Sequence, residues 1–136
     1  MIALDTNILT RFYTDDPADR EARKQRRIAE SFMAGQQALF LPKTVALELV
    51  WVLRAVYDFS REQVISALDH LLGLAQVRVE DREAVEAALF AYRQGIDFAD
   101  ALHLASSANC AEFVTFDDGF AKRAARLALQ PTVRAP

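Results

Sequence analysis

Short apolar runs alternate along this chain with longer stretches in which apolar positions recur at helical spacing. That alternation is the signature of βα units and predicts an α/β fold with a mostly parallel sheet. Strands are expected near residues 1–5, 38–41, 76–79, 112–116 and 131–134, and helices near 7–13, 18–34, 43–57, 61–73, 81–94, 98–109 and 118–128. Pro17, Pro42 and Ser60 stand where helices should begin, and Gly35, Gly73 and Gly95 where they should stop. No repeat, low-complexity segment or linker interrupts the pattern, so residues 1–136 read as a single domain.

Acidic residues break the apolar segments. Asp5 closes Met1-Ile-Ala-Leu and is followed by Thr6-Asn7, while Glu48 lies inside Val45-Ala-Leu-Glu-Leu-Val-Trp-Val-Leu53. Asp100 lies inside Phe98-Ala-Asp-Ala-Leu-His-Leu-Ala105, and Asp117-Asp118 follows Phe113-Val-Thr-Phe116. A charge in an apolar stretch is costly unless compensated, so its repetition points to acids gathered around a cation. On the predicted outline Asp5 and Asp117 fall at the carboxyl ends of the first and fourth strands, where open α/β sheets bind ligands. Glu48 falls in the helix after the second strand, and Asp97 and Asp100 on the first turn of the helix leading into the fourth.

Each motif also has a plainer explanation. Asp5-Thr6-Asn7 can be a strand-ending turn with a helix cap, and Asp97 or one of Asp117 and Asp118 can cap the helix that follows it. Glu48 is harder to explain that way, because its neighbours one turn away are Thr44, Val45, Trp51 and Val52 and offer no basic partner. His103 has no second histidine beside it, and oxygen donors suit hard divalent ions. Asn7 stands where a phosphoaspartyl phosphatase of the haloacid-dehalogenase type needs a second aspartate. No strand-end lysine suits a phosphate-accepting receiver domain.

The net charge is −3, from 16 Lys and Arg against 19 Asp and Glu, which is not the footprint of a bulk nonspecific nucleic-acid binder. Neutralising four or five acids with divalent ions brings the surface near balance, so a nucleic-acid substrate stays open. The basic stripe Arg20, Arg23, Lys24 and Arg27 reads as a solvated helix face or a phosphate-contacting surface. A hydrophobic content of 52%, with only four Gly and four Pro, argues for a filled core. The lone cysteine, Cys110, and the absence of any apolar stretch near the length of a membrane span fit a reducing, cytoplasmic setting.

Taken together, Ile2-Ala-Leu-Asp5-Thr-Asn-Ile-Leu9, Leu47-Glu48-Leu-Val-Trp-Val-Leu53, Asp97-Phe-Ala-Asp100-Ala-Leu-His-Leu-Ala105 and Val114-Thr115-Phe-Asp117-Asp118-Gly-Phe120 resemble the PIN-domain ribonucleases, and in size the VapC-type toxins of toxin–antitoxin pairs. Four motifs in the right order span nearly the whole chain. The resemblance implies a three-layer α/β/α fold with strand order 3-2-1-4-5, Mg²⁺- or Mn²⁺-dependent endoribonuclease activity, a VapB-type antitoxin partner and a homodimer. Carried over, the acidic quartet is Asp5, Glu48, Asp100 and Asp117, with Asn7, Asp97, Thr115 and Asp118 in support. A PIN nuclease of RNA processing without an antitoxin, and a noncatalytic PIN-like binding module, are the rival readings.

Overall fold

Three parallel strands organise the first half of the chain, in a computed structural model that describes residues 1–136. Strands β1 (Ile2–Ala3), β2 (Leu39–Leu41) and β3 (Val77–Val79) pair in the order β1-β2-β3, with Ile2 opposite Leu39 and Leu39 opposite Val77. Leu39 and Leu41, on one face of β2, are fully buried, and Phe40 on the other face is half-buried. The first strand is shorter than expected because the chain turns as soon as Leu4 N–H has bonded Phe40 C=O at 3.0 Å, freeing Asp5 to start a helix.

Two helices fill each crossover of this unit, Met1–Glu80. Helices α1 (Thr6–Tyr13) and α2 (Arg20–Met33) lie between β1 and β2, and α3 (Lys43–Ala55) and α4 (Arg61–Gly73) between β2 and β3. Helix α2 begins at an Asp19 cap rather than at Pro17, because the Asp19 side chain accepts the Ala22 N–H. Its buried residues are Ala22, Ala29 and Met33. At 100° per residue, Arg20, Arg23, Lys24 and Arg27 project from the opposite side, all exposed, as a solvated face or a phosphate-contacting surface requires.

Helix α4 has the bounds expected for it. The Ser60 hydroxyl accepts the Gln63 N–H at 3.1 Å and the Gln63 side chain accepts the Ser60 N–H at 2.8 Å, a reciprocal capping box. Ser60→Ala should lower unfolding free energy by about 1 kcal/mol. The check is a denaturant midpoint that falls while the slope of the transition stays constant.

The second unit, Asp81–Pro136, holds α5 (Arg82–Arg93), α6 (Phe98–Ala105), β4 (Glu112–Val114), α7 (Asp118–Arg126) and β5 (Thr132–Arg134). Strands β4 and β5 pair in parallel across α7, with Phe113 opposite Val133. Helices α5 and α6 pack on one another, and Tyr92 meets the buried Phe98 edge to face at 5.8 Å. Gly95, at φ +100, makes the turn between them possible. Helix α6 ends at Ala105, short of residue 109, and Ser106 caps it.

The pairings within the units are the 3-2-1 and 4-5 portions of the expected order. Val50 and Leu53 of α3 are buried in the core, while Trp51 and, just after the helix, Val56 are 63% and 61% exposed. No helix is long and apolar enough to cross a membrane.

Candidate active site

In the first unit, Asp5 and Glu48 face one cavity although 43 positions separate them (48 minus 5). The cavity, of about 370 Å³, is also lined by Thr6, Asn7, Thr10, Arg11, Gln25, Val52, Val56 and Tyr57. Local structure explains the lining. Thr6 and Thr10, then Asn7 and Arg11, are pairs four apart on α1, and Glu48, Val52 and Val56 form a stripe along α3 and its end, so helical spacing aims each set at the same space. Asp5 is the N-cap of α1, with Oδ1 accepting the Thr6 N–H at 2.8 Å, and its second oxygen bonds nothing in the chain. The Glu48 carboxylate accepts no hydrogen bond from the chain.

In the second unit, Asp97 and Asp117 lie near enough to Asp100 for their charges to act on it. Asp97 caps α6 by accepting the Asp100 N–H at 3.2 Å, and Asp117 caps α7 by accepting the Phe120 N–H at 2.9 Å. The Thr115 hydroxyl accepts the Asp117 N–H at 3.0 Å and fixes the turn that aims that carboxylate. Asp118 is the first residue of α7, where its charge favours the helix N-terminus. The cap is therefore the quartet member Asp117 and not its neighbour. His103 is exposed on α6.

Asp100 is pushed above its ordinary carboxylate range. Partial burial is the largest cause, followed by the charges of Asp97 and Asp117, and His103 and Arg123 offset it in part. Asp5, Glu48, Asp97 and Asp117 are exposed, which corrects the expectation that they are charges sunk in apolar surroundings: each ends an element or opens onto the surface. None of the five acids is in an ion pair, in contrast to Asp15, Glu30, Glu86 and Glu112, which are held by Arg26, Arg82 and Arg134.

Within each unit, no three His, Cys, Asp or Glu side chains are grouped to hold a metal ion. The donors nevertheless fit Mg²⁺ or Mn²⁺. They are oxygens only, and Mg²⁺ is typically held by one or two carboxylates while it keeps several waters. Thr6 Oγ1 adds a further sign: it is buried on the cavity wall with no hydrogen-bonding partner, a polar atom suited to a water that such an ion brings.

Arg11, Gln25 and Tyr57 belong to no motif, and the order of residues alone did not mark them as functional. Arg11 donates from Nε to Gln25 Oε1 at 2.8 Å and from Nη1 to the Tyr57 hydroxyl at 3.1 Å, joining α1, α2 and the end of α3. Its position four residues after Asn7 was the one available signal.

Each unit thus presents carboxylates and no histidine or cysteine donor among the residues singled out for a metal. The sequence matches the PIN domain family over residues 2–126, and the chain belongs to that family. PIN domains are generally metal-dependent nucleases and typically use Mg²⁺ or Mn²⁺. No curated protein sequence matches the chain.

Proposed function

We propose that this chain is one PIN domain, three-layered with strand order 3-2-1-4-5, that hydrolyses RNA phosphodiester bonds as the toxin of a toxin–antitoxin pair. The observation that carries the nuclease reading is the shared cavity of Asp5 and Glu48, set beside a family match that runs through both units. Asp5, Glu48, Asp100 and Asp117 are the residues proposed to hold Mg²⁺ or Mn²⁺. The ion's chemistry is to acidify water and to neutralise charge on the phosphate. Glu48, with no hydrogen bond in the chain, orients the attacking water and accepts its proton. Asp5 and Asp117 are held in place by their cap bonds, Thr115 positions Asp117, and Asn7 offers its amide at the cavity rim. Water oxygen bonds to phosphorus as its proton passes to Glu48, the bond to the 3′ oxygen breaks, and that oxygen takes a proton from a second water. The products carry 5′-phosphate and 3′-hydroxyl ends.

The purified chain should cut single-stranded RNA in Mn²⁺ and stop in EDTA, with products that ligate directly to an adaptor requiring a 5′-phosphate. Undiminished cutting in EDTA, or 2′,3′-cyclic phosphate ends, overturns the reading. The toxin role rests on the motif resemblance and on Trp51 and Val56, whose exposure on α3 and at its end suits a protein partner or a second copy. Coexpression with a neighbouring small reading frame should give a complex with suppressed nuclease activity. A strictly monomeric chain that elutes without that neighbour removes the toxin role and leaves a processing nuclease.

A further inference from the structure

Arg11 is the only cation among the ten residues that line the Asp5 and Glu48 cavity. It also lines the adjoining space of about 230 Å³ between α1 and α2, with Asn7, Ile8, Gln25, Ile28 and Ala29. Both partners of its guanidinium, Gln25 Oε1 and the Tyr57 hydroxyl, are neutral oxygens, and no carboxylate lies within ion-pair distance of it. Arg26 and Arg134, by contrast, are bound to carboxylates at 2.7–3.0 Å, and Arg54 and Arg78, which also bond neutral oxygens, do not line this cavity. The two neutral acceptors consume two of five guanidinium N–H groups and leave the charge uncompensated. They also fix the plane of the fork, which removes in advance much of the rotamer freedom that a free arginine loses on binding.

We infer that Arg11 is a phosphate-binding residue of this site, gripping the RNA backbone where it enters the cavity, with Gln25 and Tyr57 as its positioning residues. The inference rests on the nuclease reading above and adds to it the residue that recognises the substrate's charge. A site built only of carboxylates repels a polyanion. A preset guanidinium on the same wall supplies attraction, in a fork geometry that matches phosphate oxygens. The exposed stripe of α2 does not serve this purpose, because it points away from the face that carries Gln25, Ile28 and Ala29.

Cleavage of a fluorescein-labelled single-stranded RNA by the full chain in Mn²⁺, measured across a series of salt concentrations, tests it. Arg11→Met should raise KM about tenfold to a hundredfold, the value of hydrogen bonds to a charged group, with kcat little changed. The slope of log KM against log salt should flatten by about 0.7, the signature of one fewer phosphate neutralised on a single strand. Arg11→Lys, which keeps charge but not the fork, should fall between parent and Arg11→Met. Tyr57→Phe, which removes only one acceptor, should raise KM a few fold without altering the slope. The melting temperature of each variant separates a binding loss from misfolding, and Arg11→Lys with Tyr57→Phe suffices should Arg11→Met not fold. If the parent cleaves and all these variants share its KM and salt slope, the inference is overturned while the nuclease reading stands. A parent that neither binds nor cleaves RNA overturns both.

Discussion

Asp5→Asn and Asp100→Asn should each reduce metal-dependent RNA cleavage by about a thousandfold while the far-ultraviolet circular dichroism stays that of the parent. The magnitude follows from what a metal ion supplies to a phosphoryl transition state, several kcal/mol, and each 1.4 kcal/mol is roughly a factor of ten in rate. The fold should survive for different reasons at the two positions. Asn caps a helix about as well as Asp, so the bond to the Thr6 N–H is kept. Asp100 caps nothing, and its neutralisation removes a charge that its surroundings disfavour. Asp97→Asn should be much milder, because the Asp97 side chain serves α6 as its cap. Equal losses at Asp97 and Asp100 would mean that the two act as one ligand pair and not as cap and ligand.

Asp100→Asn should also raise the melting temperature of the metal-free protein, an opposite sign from the usual loss of a native carboxylate. Burial, Asp97 and Asp117 raise the Asp100 pKa above its ordinary 3.8. The unfolded chain therefore gives up this proton at lower pH than the folded chain does. Folding is penalised progressively as pH rises from the unfolded value through the folded one, and the penalty is constant above that. The advantage of Asp100→Asn over the parent should be full at pH 7.5 and shrink on acidification through that window. Mn²⁺ at a hundredfold excess over its dissociation constant adds about 2.7 kcal/mol to the parent, a rise of roughly 5–12 °C for a chain of this size. Asp100→Asn should show little of that rise. Asp117→Asn, which retains a cap, should change the metal-free melting temperature far less. A parent indifferent to Mn²⁺, together with an Asp100→Asn that melts lower in EDTA, would overturn the metal-site reading.

Much of the fold was legible in the order of residues because the governing interactions are local. The Ser60 and Gln63 box fixed the start of α4, and the caps at Asp5, Asp97 and Asp117 are formed with amides one to three residues away. A cap and a candidate ligand look alike in sequence, and here the same side chain is both. Exposure is hidden in the sequence for a related reason. Glu48 sits among apolar residues along the chain, yet its helical stripe with Val52 and Val56 opens onto a cavity, so sequence neighbours were a poor guide to surroundings. The Arg11 fork was illegible because it is made across 14 and 46 positions by Gln25 and Tyr57, neither of which carries a motif. The side on which the α2 stripe projects depended on which of its faces, that of Ala22, Ala29 and Met33, the core takes.

The caps divide the proposed quartet into two kinds of donor. Asp5 and Asp117 are tethered through a carboxylate oxygen to a backbone amide, whereas Glu48 and Asp100 are not, so each unit contributes one fixed carboxylate and one that can swing. The fixed member lost its rotamer freedom when the chain folded, and ion capture orders only the swinging one, at up to about 2 kcal/mol for a glutamate. Length is then constrained separately from charge. Asp5→Glu and Asp117→Glu preserve the charge but detach the carboxylate from its amide, while Glu48 and Asp100, whose side chains hold no backbone amide, are the positions where a change of reach leaves the backbone undisturbed.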